Sequence, residues 1–119
     1  MKREYNTVLE AQLKAIEGIK HGIICSDADA LVRDHIYAMG YKGCFGHSLG
    51  HGVGMDIHEA PTLSPLSKEK TLSLGHVVTC EPGIYIEGKY GVRIEDMLIF
   101  YPEIVVNITK TSKDLIEIY

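Results

Sequence analysis

At 119 residues the chain is one domain by length, and a chain of this size buries roughly two-thirds of its unfolded surface, so it can hold a real core. Its hydrophobic fraction of 45% and charged fraction of 24% are those of a soluble globular domain. The net charge of −4 offers no electrostatic case for nucleic acid, and no apolar run is long enough to span a membrane. No signal-peptide apolar core follows Met1-Lys2-Arg3-Glu4-Tyr5. The three cysteines, Cys25, Cys44 and Cys80, include no CxxC pair. A disulfide framework is therefore not expected, and a cytoplasmic location fits.

Two helices are expected first. Between Arg3 and Lys20, the residues Tyr5, Val8, Leu9, Gln12, Leu13, Ile16 and Ile19 recur at helical spacing. Lys20, His21 and Gly22 read as the C-terminal end, since cations suit exposed carbonyls and glycine suits a left-handed cap. Ser26 followed by Asp29 reads as a capping box that opens the second helix. Its apolar stripe is Ala28, Leu31, Val32, His35, Ile36 and Met39, and Gly40 ends it. His35 on that stripe reads as a hydrogen-bonded core histidine. Beyond Gly40 the helical period stops.

Three of the six histidines then fall between Gly46 and Glu59, among four glycines. Glycine lets backbone approach other groups closely, and histidine offers a nitrogen that binds metal or moves a proton near neutral pH. Gly46 to Val53 is expected to be extended, because each of Gly50, Gly52 and Gly54 would weaken a helix by about 1 kcal/mol. His47 and His51 would then share one face. His58 would reach them through a bend at Gly52 or Gly54. Ala60 to Gly75 reads as a surface loop, with Pro61, Pro65 and the run Lys68-Glu69-Lys70. His76 to Glu81 reads as a strand stopped by Pro82-Gly83. Ile84-Tyr85-Ile86 should pair with the next strand across Glu87-Gly88-Lys89. Gly91 to Phe100 alternates, with Val92, Ile94, Asp96 and Leu98 on one face and Arg93, Glu95 and Met97 on the other. Ile104–Ile108 and Leu115–Ile118 are further β-rich runs. The layout is α+β: two N-terminal helices on a mostly antiparallel sheet.

Glu81 and Glu95 are carboxylates where strand interiors seldom tolerate them. Two carboxylates about 4 Å apart repel by roughly 4 kcal/mol at an effective dielectric of about 20, so a convergent pair needs a proton or a cation. With His51 they would form a nitrogen and oxygen donor set for Zn²⁺, Mn²⁺, Co²⁺ or Fe²⁺, with a position open to water. Two other readings stand beside this one. Glu95 could simply pair with Arg93, and Cys44, His47 and His51 could form a structural zinc corner.

Three motifs closely resemble the pita-bread metallopeptidases, most of all the Xaa-Pro dipeptidase (prolidase) and aminopeptidase P branch. They are Gly50-His51-Gly52-Val53-Gly54 through His58-Glu59-Ala60-Pro61, Thr79-Cys80-Glu81-Pro82-Gly83-Ile84-Tyr85, and Gly91-Val92-Arg93-Ile94-Glu95-Asp96. The resemblance covers nearly the whole chain. It implies a metal-dependent exopeptidase acting on proline-containing peptides through a metal-activated water. His51, Glu81 and Glu95 would be metal ligands, with Glu95 bridging two divalent ions, Mn²⁺ or Co²⁺ before Zn²⁺ or Fe²⁺. Glu81 would also shuttle the proton of the attacking water. His58 would stabilise the tetrahedral intermediate, and His47 would line the pocket and assist proton transfer to the leaving proline nitrogen. Arg93 would orient a ligand carboxylate.

The family also draws two aspartate ligands from a segment ahead of the first helix. Asp27, Asp29 and Asp34 lie after that position and cannot take their place. Residues 1–119 are thus expected to be the C-terminal portion of a catalytic domain, with little or no activity alone. A second copy or the N-terminal half would cover an open sheet edge. The other function considered is a non-catalytic peptide- or protein-binding module on the same scaffold.

Overall fold

The computed structural model describes residues 1–119. Two helices lead, α1 (Lys2–Gly18) and α2 (Cys25–Ala38). Seven strands follow: β1 (Gly50–Gly52), β2 (Glu59–Leu63), β3 (Val77–Cys80), β4 (Gly83–Ile86), β5 (Tyr90–Arg93), β6 (Asp96–Phe100) and β7 (Val105–Asn107). Five strands form one sheet in the order β2-β1-β3-β6-β7, and β4-β5 is a separate hairpin. Every pairing is antiparallel. The expected α+β layout is therefore the one found.

The helices pack through small residues. Val8, Ala11 and Ala15 of α1 are fully buried, as are Cys25, Ala28, Val32 and Ile36 of α2. A Cβ on Gly18 would lie 2.8 Å from Leu31 Cδ1, so the crossing is close there. Ala11 and Ala15 replace Leu13 in the expected apolar stripe, and Leu13 is half exposed. Below the helices the core continues through Phe45, Leu49, Val78, Ile84, Leu98 and Phe100.

Several boundaries differ from the sequence reading. α1 ends at Gly18 because Ile19 turns extended and buries its side chain in the core. Gly22 takes a φ of 81° in the turn that follows, and its N–H donates to the Leu72 carbonyl. The capping box at Ser26 does not form. Ile24 is the N-cap, with no side-chain cap bond, and Asp29 is turned inward to Arg33. His35 is half-buried, its Nε2 3.3 Å from Glu10. Between Gly46 and Val53 only β1 is a strand. The stretch from Ala60 to Gly75 is not wholly surface: it opens in β2, and Leu63 and Leu72 are fully buried.

The alternating run from Gly91 to Phe100 keeps its faces but not its continuity. Asp96, Leu98 and Phe100 are buried as a set, yet the strand breaks at Ile94-Glu95. That break passes the chain from the hairpin to the main sheet. The final run, Leu115 to Ile118, forms no strand, and Ile116 and Ile118 are exposed. The three cysteines are free thiols. Burial pushes Cys80 up to about 12, which leaves it unreactive. No helix is long and apolar enough to cross a membrane.

Candidate active site

The helices fasten the segment that carries His47. Asp29 is almost fully buried and receives both Arg33 Nε and Nη2, at 2.6 and 2.9 Å. Beside Asp29 the Arg33 guanidinium is held above its ordinary pKa, so it stays charged. Its remaining donors reach the Phe45 carbonyl and the His47 carbonyl, each at 2.8 Å. Asp29 also accepts the Leu49 N–H at 3.0 Å. One buried ion pair thus holds the irregular backbone from Phe45 to Leu49, whose last N–H also donates to the Leu63 carbonyl at 2.9 Å. The Arg33 guanidinium lies 4.3 Å over the Phe45 ring, which packs edge-on against His47.

β1 places His51, and its glycines are required by contact. A Cβ on Gly50 would stand 1.9 Å from the Thr79 carbonyl oxygen, and one on Gly52 would stand 2.3 Å from that of Ala60. The register between β1 and β2 slips between His51 and Gly52, a bulge of the kind that re-aims a side chain. Thr79 Oγ1 accepts the His51 N–H at 3.0 Å and donates to Glu81 Oε1 at 2.9 Å. The Glu81 N–H donates to the Leu49 carbonyl at 2.8 Å. The ends of β1 and β3 are therefore locked together, with His51 and Glu81 side by side.

These residues line a cavity of about 300 Å³ with His47, Ser48, His58, Thr62 and Arg93, and no hydrophobic side chain faces it. His51 Nε2 lies 3.1 Å from Glu81 Oε1. The His51 and His58 rings are 4.3 Å apart. His58 is carried by the loop after β1, which Glu59 closes by accepting the Asp56 N–H. His47 Nε2 is 2.7 Å from the Tyr85 hydroxyl. Arg93 Nε stands 4.0 Å from Glu81 and 3.9 Å from Glu95. Tyr85 first, then Glu81 and Glu95, hold the Arg93 guanidinium above its ordinary pKa. Glu95 lines a neighbouring cavity of about 290 Å³, and Arg93 borders both.

The expected residues are thus brought to one place in part. His47, His51, His58, Glu81 and Arg93 share a cavity, whereas Glu95 lies beyond Arg93 and is about half exposed. No three His, Cys, Asp or Glu side chains are gathered at ligand distance, and Cys44 lines neither cavity, so the zinc corner is not formed. The donor chemistry nevertheless fits a divalent cation. His51 Nδ1 is 2.9 Å from the Gly52 carbonyl. A carbonyl only accepts, so Nδ1 carries the proton and Nε2 aims its lone pair at Glu81. Two acceptors that close need a proton or a cation between them. Donors each ~2.1 Å from a shared ion and at right angles stand ~3.0 Å apart, close to the spacing seen. Asp29, Arg33, Thr79 and Gln12 have no site role in the sequence reading. The four-residue spacing from Asp29 to Arg33 was the one available signal.

A polar cavity at strand ends, with an imidazole beside a carboxylate, sits on the two helices and antiparallel sheet of a pita-bread fold. The chain belongs to metallopeptidase family M24, whose profile matches residues 1–101. A curated Xaa-Pro dipeptidase of Pyrococcus horikoshii is 46% identical over 115 residues, 97% of this chain and 32% of that protein. The solved Xaa-Pro dipeptidase from Bacillus anthracis superposes with a TM-score of 0.92 at 54% identity, over 97% of this chain and 32% of that one. An X-prolyl aminopeptidase from Caenorhabditis elegans, described as a cytosolic enzyme with a di-nuclear active site, superposes with a TM-score of 0.72 at 33% identity, over 82% of this chain and 16% of that one. The chain spans about a third of the length of the curated relatives it matches.

Proposed function

We propose that the protein is a metal-dependent exopeptidase that hydrolyses Xaa-Pro peptide bonds, and that residues 1–119 are the C-terminal portion of its catalytic domain. The observation that carries this is the 3.1 Å approach of His51 Nε2 to Glu81 Oε1 inside a cavity that no hydrophobic side chain lines. The names of the relatives above support the choice of proline peptides. His51, Glu81 and Glu95 are the residues that would hold divalent metal, Mn²⁺ or Co²⁺. The bound ion supplies a Lewis acid and a water of lowered pKa.

The chain's own residues do the rest. Thr79 Oγ1 holds one Glu81 oxygen, which fixes the carboxylate as the acceptor of the water's proton. His58, its ring tilted against that of His51, presents a ring N–H to the scissile carbonyl oxygen. His47 has Nδ1 committed to the Ser48 carbonyl, so Nε2 is the atom that exchanges protons at the leaving nitrogen. Arg93 neutralises the approach of Glu81 to Glu95. Three free thiols and the cytosolic relative support a cytoplasmic setting.

The test is release of proline from an Xaa-Pro dipeptide with Mn²⁺, by this chain joined to its upstream coding sequence. Glu81→Ala is expected to reduce kcat by at least about 100-fold. Hydrolysis that survives this substitution contradicts the proposal. Peptide binding without hydrolysis in the wild type would favour the binding-module reading.

A further inference from the structure

We propose that Gln12 is a positioning residue that sets the spacing between Glu81 and Glu95 from inside the core. It lies on α1, is fully buried and lines neither cavity. Its Nε2 donates to two carbonyls, that of Cys80 at 3.2 Å and that of Ile94 at 3.1 Å. Each carbonyl shares a rigid peptide plane with the N–H of the next residue. Those next residues are Glu81 and Glu95. One carboxamide therefore ties together the two peptide planes from which both carboxylates depart.

The sheet does not do this alone. The β3–β6 ladder ends at Cys80 opposite Asp96, and Ile94-Glu95 lies in the break between β5 and β6. Between that rung and the Gly83–Arg93 rung that opens the hairpin, the spacing is left to Gln12 and to one long bond from the Ile94 N–H to the Pro82 carbonyl at 3.3 Å. Gln12 Oε1 has no partner. A side chain present for packing alone would be better apolar, since a buried acceptor without a donor is unfavourable. Both N–H bonds are used, and both converge on the backbone of the candidate ligands.

The consequence for cation affinity rests on the metal-dependent reading above. Outer groups that orient ligands typically change metal affinity by about 10- to 100-fold. Gln12→Met keeps the length and volume of the side chain and removes both donors. Mn²⁺ calorimetry on the 119-residue chain should show about 10-fold weaker binding for Gln12→Met, with an unchanged far-ultraviolet circular dichroism spectrum. Equal affinity overturns the proposal. Should Gln12→Met fail to fold, Gln12→Asn is one methylene too short to span both carbonyls and carries the same expectation. A wild-type chain that takes up no Mn²⁺ defeats the metal reading while still judging Gln12. In the metal-free chain the substitution should then move the carboxyl ¹³C resonances of both Glu81 and Glu95, and resonances left in place would overturn the role.

Discussion

On one side of the cavity His47, His51 and Glu81 are fastened by buried hydrogen bonds from Asp29, Arg33 and Thr79. On the other side Arg93 and Glu95 meet at 3.9 Å, with about half of each side chain exposed. A short bond between buried groups restricts a side chain to one place. A long ion pair in solvent restricts it little, because water screens the attraction and ordering both chains opposes it. The first wall is set by the chain's own core. The second wall is free to move toward whatever supplies further contacts, which on the proposed reading are a metal ion and the rest of the catalytic domain.

The largest effect expected from this difference is at Asp29. Asp29→Ala leaves the Arg33 guanidinium mostly buried without its carboxylate and removes one of the two acceptors of the Leu49 N–H, which keeps the Leu63 carbonyl. Urea unfolding should show a loss of about 3–5 kcal/mol. Thr79→Val comes next. It keeps the shape but removes the acceptor of the His51 N–H and the donor to Glu81, for a loss of about 1–3 kcal/mol in the same assay.

A third expectation concerns the start of α1, where Glu4 accepts the Tyr41 hydroxyl at 2.9 Å just ahead of the fastened segment. In the isolated 119-residue chain the Met1 ammonium first, then a backbone amide and Tyr41, hold the Glu4 carboxyl down to about 2 from 4.5. A lowered folded-state value means that its stabilisation is fully present above pH 4.5 and is lost as pH falls through about 2. The urea midpoint of Glu4→Gln should therefore fall less steeply than that of the wild type across that window. The smallest effect is at Glu95. Glu95→Ala should change folding stability by less than about 0.5 kcal/mol, since the side chain is half exposed and weakly paired. A loss at Glu95 as large as that at Asp29 would erase the contrast between the walls.

How much of this was legible in the sequence depended on the range of the forces. The hairpin β4-β5 was, because Glu87-Gly88-Lys89 between two β-rich runs is local turn chemistry. So were the faces of β5 and β6, since side-chain alternation survives the break at Ile94-Glu95. The break itself was not: it arises from the switch between sheets, which alternation does not encode. Asp29 was misread as a cap because its partners, Arg33 and the Leu49 N–H, depend on how a later loop returns to α2. Leu63 and Leu72 sat among prolines and charges, so composition hid their burial. At the site, His47 and His51 do line one cavity, but not by the strand alternation expected, since His47 lies in irregular backbone ahead of β1. The need for Gly50 and Gly52 is set by contacts with Thr79 and Ala60, which are known only once β1, β2 and β3 are side by side.

The most direct test is the visible absorption of Co²⁺ added to the 119-residue chain, compared with His51→Ala and Glu81→Ala. Protein ligand-field bands should appear with the wild type and vanish in both variants, because one imidazole and one carboxylate oxygen already stand 3.1 Å apart. Bands that persist in both variants, or a wild-type chain that shows none, would contradict the account.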